Sequence, residues 1–151
     1  MAIGGRLPVD SVDVFPHGLY AFVATEVEPA RDYERSTSDR FVQQVDKDTG
    51  LPVWTFEVLD ADPQARDKAI TVRIVAEHKP VLPEAPAGMP FRPVEFEGLT
   101  VAPSVDTSRC SGGPGAHRCR AGLAWSFRAT GIVAPKPRSA GRSRESKDAA
   151  A

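Results

Sequence analysis

"VDKDTGLPVWTFEVLD" (residues 45–60) can be read in two ways that lead to different proteins. As the start of a calcium loop, it offers Asp46 and Asp48 at the first and third ligand positions. An EF-hand loop then needs a ligand at the fifth position, Gly at the sixth and Glu at the twelfth. Here Gly50 falls at the fifth position, so the Gly arrives one residue early and a ligand is missing, although Glu57 falls at the twelfth. The flanks are also wrong, because an EF-hand loop joins two helices and "RFVQQV" and "LPVWTFEVL" read as strands. The second reading fits: Asp48-Thr49-Gly50 is turn chemistry, with Gly available for a positive φ. The stretch is expected to be the tip and return arm of a β-hairpin, with no metal.

Strand periodicity continues outward from this turn. Residues 51–60 put Trp54, Phe56 and Val58 on one face, and "KAITVRIVAE" (68–77) puts Ile70, Val72 and Ile74 opposite Thr71 and Arg73. "GLYAFVATEVEPA" (18–30), "RFVQQV" (40–45), "VEFEGLTVAPSV" (94–105) and "AGLAWSFRATGIV" (121–133) complete the set. The alternation of period two is the mark of half-buried strands. Gly98 inside residues 94–105 predicts a bend or bulge. Helix is scarce, with at most one turn started by Pro63 in residues 60–69. The connector after residue 77 carries five prolines and is expected to be extended or irregular. Five or six short strands with Pro/Gly turns predict an all-β fold, a small OB-like Greek-key barrel. The expected organisation is an N-terminal arm (1–12), a barrel domain (13–134) and a flexible basic tail (135–151).

The chain has 151 residues, 41% of them hydrophobic and 26% charged, which suits one soluble domain with tails. No apolar run is long enough to cross a bilayer, and the first residues contain no secretory h-region, so a cytoplasmic location is expected. The two cysteines are then expected to be reduced thiols. The net charge of −1 hides an asymmetry. Residues 1–60 hold eleven acids and five bases, whereas residues 106–151 hold three acids and nine bases.

Enzyme chemistry is poorly represented. His17, His78 and His117 lie in different regions, and no HExxH, GxSxG, Walker or GxGxxG motif occurs. "CSGGPGAHRC" (110–119) offers Cys110, His117 and Cys119, three ligands where a structural zinc site takes four in paired short spacings. Zinc completed by a second subunit or a disulfide are alternatives, but a plain hairpin loop is the simpler reading. No catalytic residue, metal or cofactor is expected.

Surface recognition remains. In "PARDYERSTSDRFVQQ" (29–44), Tyr33 stands beside Arg31 and Arg35, with Arg40 further on. An aromatic among cations can stack bases and hold phosphates of a single strand. Asp32, Glu34 and Asp39 are interspersed, with Glu28 just before them, and weaken the case for polyanion binding. The tail adds Lys136, Arg138, Arg142, Arg144 and Lys147 against Glu145, a composition for non-specific phosphate contact or for solubility.

Four blocks carry a resemblance. Residues 14–34, 36–74, 90–103 and 123–135, from "VFPHGLYAFVATEVEPARDYE" to "LAWSFRATGIVAP", resemble the plasmid replication, integration and excision activator family of actinobacterial integrative and conjugative elements. A residue bias of 14 Arg against 5 Lys, with no Asn, agrees with a GC-rich origin. The resemblance implies a regulator that switches on replication, excision and integration of a mobile element, and it brings no catalytic residues. More weakly, "VEFEGLTVAP" with "GLAWSFRATGI" is similar to the closing strands of gene V-type single-stranded-DNA-binding OB-folds. Two functions are therefore expected as alternatives. One is a DNA-binding accessory protein, with single-stranded DNA favoured over double-stranded because no helix-turn-helix is visible. The other is an adaptor without DNA affinity that contacts a replication initiator or a transcription protein. No membrane association is expected, and the sequence admits a homodimer.

Overall fold

Trp54, Phe56 and Val58 do point to one side of a strand, and the core forms around them. The computed structural model describes residues 5–108, 110 and 121–137. In chain order the elements are β1 (Leu7–Pro8), α1 (Ser11–Val14), β2 (Leu19–Phe22), β3 (Glu28–Pro29), β4 (Val53–Asp60) and β5 (Ala69–Val75). Then follow β6 (Phe91–Glu97), β7 (Thr100–Asp106), β8 (Gly122–Ala129) and β9 (Gly131–Val133).

β2, β4 and β5 pair antiparallel in that order, with Leu19 opposite Asp60 and Phe56 opposite Val72. β5 then pairs with β8 in parallel, setting Arg73 opposite Arg128. β2 also pairs with β6 on its other side. The last four strands form two bent arms of one long hairpin. β6 pairs β9 and β7 pairs β8, with Glu97 opposite Gly131 and Thr100 opposite Arg128, so the register is unbroken across the bend. The result is a strongly curled sheet, a half-barrel, with β1 on its β7 edge and β3 against β4.

The bend has a local cause. Gly98 has φ +59°, and a Cβ there would run into the Thr130 side chain. Thr130 in turn donates its N–H to the Glu97 carbonyl at 2.9 Å. Only glycine takes this conformation without strain, so the residue read as a bulge signal is the corner where the arm changes direction.

Inside the curl, alternate residues of five strands meet. Leu19, Phe56, Val58, Val72, Ile74, Val94, Phe96 and Ala129 are all buried. Burying each large side chain contributes about 1.5–3 kcal/mol. Phe15, just after α1, closes one end against Phe127 at 5.4 Å between ring centroids. A smaller cluster of Ala30, Val53 and Val75 forms on the opposite side of β4, where Ala30 N–H donates to the Val53 carbonyl.

Several expectations need correction. Nine strands form among the described residues where five or six were expected, because the residues read as long strands are divided at Gly98–Leu99 and at Thr130 and residues 18–30 break after Phe22. Residues 40–45 are not a strand. They make only isolated bridges, Arg31 with Gln43 and Val45 with Pro52. Their N–H and C=O groups are shared among Ala30, Asp32 and Val53, which prevents a regular ladder. The turn at 46–50 does form, with Gly50 at φ +72° and its N–H on the Asp46 carbonyl. Among the described residues the one α-helical turn lies at Ser11–Val14, inside a segment read partly as a loose arm, and residues 61–68 form turns and bends between β4 and β5 without a helix. In the same N-terminal segment, Leu7–Pro8 pair with β7.

Candidate nucleic-acid interface

The outward residues of β4, β5, β7 and β8 alternate with the core residues, so cross-strand register decides which of them become neighbours. One row runs Thr100, Arg128, Arg73, Thr55 across β7, β8, β5 and β4. Arg6 joins it from the N-terminal side. Its Nε–H donates to Thr100 Oγ1 at 3.0 Å, and its Nη1–H to Ser126 Oγ at 2.9 Å. Three arginines from distant parts of the chain thus share one strip of surface. Partial burial, then repulsion from Arg128 and Arg73, pulls the Arg6 guanidinium below its ordinary pKa. It remains charged at neutral pH.

One carboxylate opposes this cluster. Asp46 Oδ1 accepts from Arg128 Nη1 at 2.6 Å. Its other oxygen accepts from the Thr49 backbone N–H at 3.1 Å and the Thr49 hydroxyl at 2.8 Å. These Thr49 bonds, with the Arg128 charge, hold the Asp46 carboxyl below the usual carboxylate range, against the opposing pull of burial. The residue read as turn polarity is a buried anchor that ties the 46–50 turn to β8. A charge pair between residues 82 positions apart carries no local signal in the sequence.

Arg73 extends the strip towards the loop after β3. Its Nη1–H donates to Gln44 Oε1 at 3.0 Å. Beyond it lies a shallow hollow of about 220 Å³ lined by Arg31, Tyr33, Gln44, Lys47 and Arg73, with Asp32 and Glu34 among its walls. Tyr33 is 81% exposed, and the Arg31 guanidinium sits 5.8 Å from its ring centroid. That contact is a cation–π geometry. Asp32 is already engaged, since its Oδ1 accepts the N–H groups of Glu34 and Arg35.

The expected site residues divide accordingly. Arg31 and Tyr33 come together at the hollow. Arg35 lies beside Asp32 with Nε 3.9 Å from Oδ2, and Arg40 is exposed on the same loop. Lys136 does not join them. It lines another hollow with Ser11, His17 and Glu95. Arg138, Arg142 and Arg144 lie outside the described residues, as do His117 and Cys119. Arg6, Arg73 and Arg128 were not among the expected residues. A period-two reading places Arg73 and Arg128 outward, but register alone shows that they are adjacent.

The basic strip has a limit. Glu26, Glu28 and Glu57 line a hollow with Thr55 and Thr71, next to the Arg73–Thr55 pair on the β4–β5 face. Among the described residues, no three His, Cys, Asp or Glu side chains gather into a group that could hold a metal, and no helix is long and apolar enough to cross a membrane. No family model matches the chain, and no curated protein or solved structure matches it either.

Proposed function

We propose that this chain is a regulatory or accessory protein of a mobile genetic element that binds single-stranded DNA through an OB-like face. The observation that carries the reading is the strip Arg6–Arg128–Arg73 running into the Arg31–Tyr33 hollow. Three mutually repelling guanidiniums beside one buried carboxylate favour an anion, and the exposed ring next to them offers a face for a base.

The strand pairing supports the OB-like part. A three-strand meander, a parallel pairing of its third strand with the last arm, and return of that arm to β6 are compatible with a small Greek-key barrel. In OB-folds, oligonucleotides lie on the face of strands 2 and 3 and between the loops that follow strands 1 and 4. Under this reading β4 and β5 are that face, and the Tyr33 loop is the first of those loops.

The absence of a recognition helix among the described residues favours single strands, whose bases are open to stacking. The resemblance to replication, integration and excision activators supplies the biological setting. Photo-crosslinking to an oligothymidine strand, read by mass spectrometry, tests the placement. Adducts at Tyr33 are expected, and adducts confined to the Glu26–Glu57 side would refute it.

A further inference from the structure

The projecting β7–β8 hairpin has two unlike faces. Ser104 and Ser126 point to the side that Arg6 occupies. Pro103, Val105, Leu123 and Trp125 point to the other, continuous with Phe127 and the core. This second face is open: Val105 and Leu123 are each 68% exposed, and Trp125 is 48% exposed. An apolar face of this kind beside a core is a mark of an interaction site.

Its surroundings define the occupant. A hollow of about 580 Å³ runs under the hairpin from Phe15 and Phe127 to Leu123 and Trp125. Asp60, Asp62 and Asp67 line it, Asp106 borders it from β7 with its side chain on the Ser104 side, and Arg66 is the one cation among its lining residues. We propose that this hollow docks a basic segment of a partner protein, one that sets large apolar side chains against Leu123 and Trp125 and places Lys or Arg among the aspartates.

The other occupants fit less well. Three aspartates repel a nucleic-acid backbone, and the face turns away from the arginine strip. A second copy placed by a two-fold axis would set this acidic rim against itself. The chain's own residues 135–151 match in charge, but they carry no side chain of the Leu, Phe or Trp kind to cover Trp125. The inference does not rest on the DNA reading.

A Trp54→Phe variant of the full chain leaves Trp125 as the single indole reporter. Titration with a synthetic peptide of Leu and Phe flanked by Arg should give a saturable blue shift in its emission. The same peptide with Glu for Arg, or with Ser for Leu and Phe, should not. Leu123→Ser and Asp67→Lys, both at exposed positions, should each weaken binding about tenfold or more, whereas Ser126→Ala on the opposite face should not. If Trp54→Phe lowers stability, amide NMR shifts at Leu123 and Trp125 in the unaltered protein give the same readout. The proposal is overturned if the Arg and Glu peptides behave alike or if neither binds. It is also overturned if sedimentation shows a dimer that Leu123→Ser dissociates, or if single-stranded DNA alone perturbs Trp125.

Discussion

Asp46 and Arg128 join the tip of one turn to the outer face of a strand 82 residues away, with Nη1 and Oδ1 2.6 Å apart. Asp46 is almost fully buried and Arg128 partly so. Removing one partner strands the other, which is the costly way to break such a pair. Asp46→Ala should therefore lower stability by about 2–4 kcal/mol in urea unfolding at neutral pH.

Acid should do the same to the unaltered protein. Thr49 and Arg128 hold the Asp46 carboxyl below its ordinary range in the fold. A depressed carboxyl contributes stability that is complete above the unfolded value, about pH 4, and is lost as pH falls through the folded one. Unfolding curves at pH 7 and pH 3 should show a smaller acid loss in Asp46→Asn than in wild type. An equal loss would assign the effect to other carboxyls.

Calcium should leave the protein unchanged. Both Asp46 oxygens are engaged by Thr49 and Arg128. Calorimetric titration with calcium should show no specific heat, and a saturable signal lost in an Asp46→Ala, Asp48→Ala variant would reverse this reading.

Trp54 should matter for folding. It packs on the core, and its Nε1–H donates to the Ala76 carbonyl at 3.0 Å. Trp54→Ala should cost about 3 kcal/mol. A variant as stable as wild type that fails to bind DNA would instead make Trp54 part of the binding face.

Much of this architecture is legible in the sequence because it is local. The alternation around Phe56 and Val72 gives the strands and their inward faces, Gly50 gives the turn, and Gly98 gives the bend. Residues 40–45 mislead because they carry strand-forming residues but make only isolated bridges, at Gln43 and Val45, and leave Phe41 and Val45 exposed. The site is less legible. Tyr33 beside Arg31 is visible as a pair in the chain, whereas the Arg6–Arg128–Arg73 strip depends on a parallel pairing that no local pattern encodes.

The basic C-terminal residues should add affinity without sequence choice. Truncation after Ala134 keeps β9, which ends at Val133. It removes Lys136, Arg138, Arg142, Arg144 and Lys147. The salt dependence of DNA binding should become shallower by up to about five phosphate contacts. An unchanged slope would make these residues a solubilising end.

The most direct test is fluorescence anisotropy with single- and double-stranded oligonucleotides of one sequence at low and high salt. The single strand should bind more tightly, and binding should weaken as salt rises. Arg73→Ala and Tyr33→Ala should each reduce affinity about tenfold, since both side chains are solvent-facing and neither contributes to the core. No binding of single strands at low salt, or binding indifferent to both substitutions, would contradict the assignment of this face to DNA.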